Sequence, residues 1–499
     1  MTATTDSTPA AAPTPEVPAP PPAARRRRPR TASERRERIL NDPPKRLVIF
    51  MGLPLLISFF IGTLFNLVDT WFVSMLPGDA GADGVAGIGN AFAIQLVLIA
   101  IGSGIGQGAA STVARRLGAN DTAGAQRAGA QIVLLTLGLT AAFMLLGAIV
   151  KPMMTMIGAN DAIIDASIVY GEYVLIGCVG WFVPMIMGGI LRGVGDMIGP
   201  MLAMLAAIVL NIILDPILIF GLGPIPAMGV RGAAAATVIA RWASALLIVW
   251  FLLGKRNALG RAIFTRLRPD SALLKDILRV GIPTSIGTIL GAGYMLIVQI
   301  FVGHHVAGGG PAAQAAFTIG FRFEQLAWLP VHGVAIALTT IVGQNHGAGR
   351  FDREREAMKW CLIWTTGIIS VFSLLYLIGA PWMAAALAGG DPDTSATVAD
   401  IATVYIRVIA VELPLLAAAM TIGSTFNGRG RGWPYFSLQV LRLFALSIPL
   451  FIVFAPTGIY TFWWAMPLAS GAAVALGALW LRRELRRDPM PPLAKPVAE

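Results

Sequence analysis

The chain has 499 residues, 56% of them hydrophobic and only 13% charged, with a mean hydropathy of +0.71 and a formal net charge of +11. That balance excludes an ordinary soluble enzyme and points to a protein that crosses a membrane many times. The 55 glycines suit helices that pack closely in lipid.

Residues 1–45 are Pro/Ala-rich and then strongly basic (RRRRPRTASERRER), a composition that cannot bury a core, so a disordered basic cytoplasmic arm is expected there. Its plainest partner is the anionic lipid of the membrane face rather than nucleic acid. Met51 to Phe60 lies within a long apolar segment, so a cleaved signal peptide is not expected.

Twelve apolar spans follow, at roughly 46–75, 85–110, 129–150, 167–191, 198–222, 229–254, 272–303, 312–343, 358–380, 401–426, 434–455 and 458–481. They divide into an N-terminal six-helix lobe at 46–254, a cytoplasmic linker at 255–271, a C-terminal six-helix lobe at 272–482 and a cytoplasmic tail at 483–499. The fold class is all-α, polytopic and membrane-embedded.

Charge sets the expected orientation. With a cytoplasmic N-terminus, the inner loops hold Arg115, Arg116, Arg127, Arg192, Lys255, Arg256, Arg261, Arg266, Arg268, Arg350, Arg353, Arg355, Lys359, Arg429 and Arg431, whereas the outer loops hold only Lys151 and Arg231. Asp79, Asp83, Asp161, Asp165, Asp391 and Asp393 fall in the outer loops. Both termini are therefore expected in the cytoplasm, and the protein in the plasma membrane.

The two halves share a plan. Gly52-Leu53-Pro54 recurs as Gly281-Ile282-Pro283, Gly106-Gln107 before a basic loop recurs as Gly343-Gln344, and Gly193 with Gly195 recurs as Gly428 with Gly430. The offsets are 229, 237 and 235 residues. An even number of spans per repeat means that both copies enter the membrane in the same direction, related by a pseudo-twofold axis along the membrane normal.

Polar residues inside the spans carry the chemistry. Asn211 and Asp215 are the strongly polar side chains between Met201 and Phe220, and four residues apart they share one helix face. A carboxylate in the bilayer interior costs about 2.5–3.5 kcal/mol on insertion scales, so it marks a functional site with a partner to be found. Asp69 in span one and Thr237 in span six are expected at the same depth. Together the four offer hard oxygen ligands for a proton or Na⁺, with Na⁺ at Asp69, Asn211 and Asp215. The structural alternatives are an interfacial Asp69 and plain interhelical hydrogen bonds from Asn211 and Thr237. Pro54, fifteen residues before Asp69, prepares span one to bend.

The C-terminal lobe differs. Gln299 stands where the repeat offset would place an acid, and Arg322 with Glu324 and Arg407 with Glu412 are spaced so that neither pair shares a helix face. Gln299, Arg322, Glu324 and Glu412 are candidates for substrate contact or for charge pairs between helices. Matched intramembrane acids are thus expected in the N-terminal lobe alone. Cys178 and Cys361 read as buried apolar side chains rather than a disulfide. The glycines of 102–108 lack a preceding strand and a following lysine, His304-His305 lack metal-ligand company, and no nucleotide signature is present. Neither an enzyme, nor a metal centre, nor an ATP-driven pump is expected.

VDTWFV around Asp69, GQGAASTVARRLGAND, ILRGVGDMIGPM, VLNIILDPILIFG through GAAAATVIAR, IGFRFEQL with VGQNHGAGR, and NGRGRGWP resemble, in this order, the multidrug and toxic compound extrusion family. The likeness covers about residues 46–482 and is greatest to the DinF-like branch. It implies twelve helices in two lobes, a cleft that opens alternately to either side, and export of amphipathic, often cationic compounds against H⁺ or Na⁺. It also implies a cation site at Asp69, Asn211, Asp215 and Thr237 and a bending proline at Pro54, with Thr237 aligned only after an insertion around Pro224–Ala227. Another branch uses acids in spans seven and ten. Here the membrane-embedded part of span seven has none and Glu412 stands about a turn from the expected place, which counts against a second cation site in the C-terminal lobe. The remaining function classes are a flippase for a lipid-linked precursor, which calls for a basic cleft, and a membrane-embedded enzyme, for which no nucleophile is present. The transporter is expected to work as a monomer, with no cofactor beyond its coupling ion.

Overall fold

In a computed structural model, residues 31–155, 161–254, 259–265, 267–389 and 392–487 are described. The Pro/Ala-rich start of the arm, the basic run before Thr31, Lys255, Arg256, Arg266, Asp391 and the last residues of the tail lie outside them.

Eleven of the described helices are long and apolar enough to cross a membrane. Spans one to three are Pro44–Ser74, Asp79–Gly118 and Thr122–Leu146, and spans five and six are Ile198–Phe220 and Val230–Leu253. Spans seven to twelve are Ser271–His304, Pro311–Gly347, Phe351–Leu387, Pro392–Gly428, Gly432–Thr457 and Ile459–Arg486. Span four is a broken crossing, Asp161–Ile176 and Val179–Val194, bent by 60°. Gly177, Gly180 and Pro184 loosen the backbone ladder at that break, and a π-turn over Val183–Met187 absorbs the extra residue. The protein is therefore a multi-pass, all-helical membrane protein of twelve crossings in two six-helix lobes.

Several helices outrun the apolar windows. Asp79–Gly118 has 40 residues, about 60 Å at 1.5 Å each, against a hydrocarbon layer of about 30 Å. Asp79 in its first turn and Arg115 and Arg116 in its last complement the helix dipole, so polar ends prolong the helix beyond the lipid. On the outer surface Leu145, Leu246, Val371 and Trp382 stand exposed, as lipid-facing residues must.

The repeat is visible in the backbone. Asn120 and Gly349 both have positive φ (61° and 69°), each just before the start of a span, and Gly195 and Gly430 do so (89° and 79°) at the ends of equivalent helices. One apolar core fills the first lobe around Leu98, Ile132, Trp181 and Ile190, and another fills the second around Phe317, Ile409, Phe451 and Trp463. A third joins the lobes, packing Leu47, Val48, Met51 and Leu55 of span one against Val334, Leu338 and Ile341 of span eight.

Polar contacts between the lobes cluster on the face that carries the basic loops. Thr340 donates to the Arg192 carbonyl at 3.0 Å and Gln344 to the Gly193 carbonyl at 2.9 Å. Arg115 grips both carboxylate oxygens of Asp276 at 2.7 and 2.8 Å, while Ser111 donates to the carbonyl of Asn427. On the same face Leu259 and Ile263 of the linker bury themselves beside span three.

One expectation needs correction. The arm is not without structure through residue 45, because Ala32–Asn41 is a helix closed by a capping box between Thr31 and Glu34. It buries Ile39 and Leu40. Arg36 donates to the carbonyls of Leu117 and Gly118, and Arg35 pairs with Asp196 at 3.0 Å, both in the first lobe. From the second lobe, Arg350 donates to the Leu40 carbonyl at 2.7 Å. The composition argument fails here because the partners of this helix are backbone carbonyls and an apolar seam elsewhere in the chain.

Candidate functional site

Asp69, Asn211, Asp215 and Thr237 meet in the interior of the first lobe. Exposures of 3%, 0%, 0% and 2% exclude an interfacial Asp69 and turn the Asn211–Asp215 face of span five away from lipid. Two helical facts bring them together: Asn211 and Asp215 lie one turn apart on span five, and spans one and six pack on the same face of it.

The hydrogen bonds form one network. The Asn211 amide donates to Asp69 Oδ1 at 3.1 Å and to Asp215 Oδ1 at 2.9 Å. Thr237 Oγ1 donates to Asp69 Oδ2 at 2.6 Å. Tyr170, from span four, donates its phenol proton to the same Oδ2, also at 2.6 Å. Span six reaches this register despite the insertion: the loop doubles back at Gly221 (φ 80°), and the Met228 and Gly229 amides donate to the Leu218 and Ile219 carbonyls.

Two buried oxygens in this network have no hydrogen-bond donor, Asn211 Oδ1 and Asp215 Oδ2. A buried acceptor without a donor is costly, and here two of them stand within one carboxylate–amide cluster. Such a cluster takes up a proton or a small hard cation readily, because either satisfies those lone pairs and offsets the charge of two acids.

Tyr170 was absent from the sequence expectation. A tyrosine near the end of a span reads as an interfacial anchor, and only the packing shows it turned inward and buried at 1% exposure.

The second lobe buries the two acids that the sequence offers there as candidates for substrate contact or charge pairs between helices. Glu324 and Glu412 are each 3% exposed. Glu324 accepts from the Tyr405 phenol at 3.1 Å. Glu412 accepts from Ser470 at 2.6 Å and pairs with Arg442 of span eleven at 3.7 Å. Spacing along one helix could not reveal these partners, since each comes from another helix. Arg322 and Arg407 are exposed and belong to neither cluster. Gln299 bonds to Thr318 at 3.2 Å, apart from the acids.

Pro54 sits inside a continuous helix, where its carbonyl accepts from Ser58 at 2.9 Å. One residue on, the backbone of Leu55 and Leu56 presses against Gly333 of span eight so closely that a Cβ there would overlap it. The proline therefore lies where span one crosses the other lobe.

A MatE family model matches residues 54–217 and 283–453, two stretches that begin at Pro54 and at its repeat counterpart Pro283. The chain is 28% identical over 421 residues to a protein of Shewanella oneidensis described as a FAD transporter, covering 83% of this chain and 89% of that one. It is 25% identical to a probable multidrug resistance protein NorM of Thermotoga maritima, covering 82% and 85%. Among solved structures it is similar to an outward-facing multidrug resistance MATE family transporter of the MOP superfamily, with a TM-score of 0.82, 28% identity, and coverage of 90% and 97%.

Proposed function

This chain belongs to the multidrug and toxic compound extrusion family, whose members are transporters rather than enzymes, and on that premise we propose that it is a secondary antiporter driven at the Asp69–Asn211–Asp215–Thr237 cluster. It exports amphipathic, often cationic organic compounds as H⁺ or Na⁺ enters, working as a monomer with both termini in the cytoplasm. The pair of unsatisfied oxygens on Asn211 and Asp215 carries this reading, because a coupling ion needs acceptors the protein itself leaves open.

The geometry supports the following cycle. With the lobes locked on the basic, cytoplasmic face, the cleft opens to the outside and the acid cluster takes its cation there. Neutralising two acids removes their pull on a bound cationic substrate, which leaves. Span one, carrying Asp69 at one end and Pro54 at its crossing with span eight, then passes the change to the opposite lobe.

A flippase for a lipid-linked precursor is the weaker reading, because the arginines within the spans are few and Arg442 is engaged by Glu412. The relative described as a FAD transporter adds a flavin dinucleotide to the substrates worth assaying.

The test is efflux of a cationic dye panel from proteoliposomes under an imposed pH or Na⁺ gradient. Asp69→Asn and Asp215→Asn each abolish gradient-driven efflux while the protein still inserts, since losing a buried charge favours insertion. Retention of efflux by both variants removes the cluster as the coupling site.

A further inference from the structure

Arg241 is a second intramembrane charge in the first lobe. It lies one turn after Thr237 on span six, and its guanidinium stacks 4.3 Å from the Phe65 ring and 5.2 Å from the Trp181 ring, with one N–H on Met204 Sδ at 3.7 Å. Its Nε is buried without an acceptor, and among the described residues no carboxylate lies within salt-bridge distance of it. Gly180, at the break of span four, makes the room: a Cβ there would overlap the Arg241 stem.

The four residues around this guanidinium form a layer of their own. Phe65 precedes Asp69 by one turn, Met204 precedes Asn211 by two, and Trp181 and Arg241 follow Tyr170 and Thr237. Spans one and five run opposite to spans four and six, so all four displacements point the same way, toward the basic face. Beneath the acid cluster, between it and the cytoplasm, sits a cation clamped between two aromatic rings. The ionisable groups facing it are Asp69 from span one and Tyr170 from span four, with Asp215 of span five beyond Asn211, while spans one, four and five otherwise present Phe65, Trp181 and Met204.

We infer that Arg241 is an electrostatic barrier, a fixed positive charge that keeps the coupling cation from passing inward out of the acid cluster and that sets the pH range over which the cluster loads. A cation moving inward from Asp69 meets like charge where the low-dielectric walls leave it unscreened, the device by which fixed positive charges bar cations from pores. Clamping by two rings keeps the barrier in place without a carboxylate that would neutralise it. This rests on the reading of Asp69 and Asp215 as the coupling site.

The experiment compares wild type, Arg241→Met, Arg241→Gln and Arg241→Lys in proteoliposomes, reading substrate-free ion uptake under a pH or Na⁺ gradient and the pH profile of dye efflux. In Arg241→Met, substrate-free uptake rises several-fold and the half-maximal pH of efflux moves upward by about one unit, because a nearby cation favours the ionised acid and its loss favours the protonated one. Arg241→Lys restores both. Arg241→Gln, polar but uncharged, carries the same expectation as Arg241→Met should the latter fail to fold. Folded Met or Gln variants with wild-type leak and pH profile overturn the inference, as does a Lys variant as altered as they are, since that makes the residue structural. Asp69→Asn in the same assay separates the two readings: if it keeps gradient-driven efflux the coupling site itself falls, and if it loses efflux while Arg241→Met stays like wild type only the barrier falls.

Discussion

Tyr170 and Thr237 donate to one and the same oxygen of Asp69, each at 2.6 Å, from spans four and six. A carboxylate oxygen held by two hydroxyl donors is fixed in direction, and its second oxygen is steered toward Asn211. The cluster is therefore organised in advance for one orientation of Asp69.

Tyr170→Phe tests that organisation with little change in packing. Losing a donor to a buried carboxylate leaves Asp69 less firmly oriented, so gradient-driven efflux falls roughly ten-fold while the protein still folds and inserts, with at most about 1.5–3 kcal/mol lost in stability. An unchanged efflux rate in Tyr170→Phe would leave Thr237 as the sufficient donor.

Glu412 differs from the buried acids of the first lobe in having a counter-charge. Glu412 has Arg442 at 3.7 Å, with side-chain exposures of 4% and 11%, whereas Asp69 and Asp215 have hydroxyl and amide donors only. A charge with a counter-charge inside the protein has less need of an exchangeable ion, so a structural role is expected for the Glu412 pair even though Glu412 Oε2 and Arg442 Nε lack hydrogen-bond partners. Glu412→Gln strands Arg442 and lowers stability by about 3–5 kcal/mol, as breaking a buried pair does. Glu412→Gln combined with Arg442→Met recovers most of that loss and keeps gradient-driven efflux. Apparent melting temperatures in detergent, together with dye efflux, decide it: a well-folded double variant without gradient-driven transport would place coupling in the second lobe as well.

The residues of the acid cluster are legible in the sequence because each interrupts an otherwise apolar helix, where a polar side chain has no cheap alternative to a partner. Tyr170 and Arg241 are less legible. Both are amphipathic, and the same residues at a membrane surface would need no explanation. Glu324 and Glu412 could be recognised as unusual, but Tyr405, Ser470 and Arg442 come from other helices and are fixed only by packing. For the helix Ala32–Asn41 composition misleads, although the Thr31-x-x-Glu34 spacing carries the signal of a helix start. The span boundaries fall short for a related reason. Hydropathy marks the hydrocarbon layer, while the helices continue into water on capped and charged ends.

Pro54 lies one residue before the Leu55–Leu56 backbone that Gly333 of span eight meets, and the proline and the glycine fail in different ways. Pro54→Ala restores a ladder donor and stiffens span one, so expression is normal and transport falls several-fold. Gly333→Leu drives a side chain into the backbone of Leu55 and Leu56 and separates the lobes, costing about 1–3 kcal/mol as overpacking does. Transport rates and melting temperatures of the two variants distinguish the roles. Full activity in Pro54→Ala would reduce the proline to a packing element.

The helix Ala32–Asn41 closes the basic face like a bracket, and its arginines make the claim testable. Arg36 holds the end of span two through the carbonyls of Leu117 and Gly118, and Arg350 of the second lobe holds the end of the same helix through Leu40 and the Asn41 side chain. Guanidinium donors on carbonyls at a helix C-terminus also gain from the dipole there. Both interactions persist only while the lobes stay together on this face, so the bracket favours the conformation closed on the basic face. Arg36→Ala with Arg350→Ala removes about 2–4 kcal/mol of that bias, enough to move a two-state population by ten-fold or more. Spin labels at Ala123→Cys and Lys359→Cys, exposed on the basic ends of spans three and nine, report the separation of the lobes. The distance distribution in the double alanine variant broadens toward longer values, and transport slows because the state closed on the basic face is less populated. A distribution that superimposes on that of the intact protein would show the helix to be a passive cover.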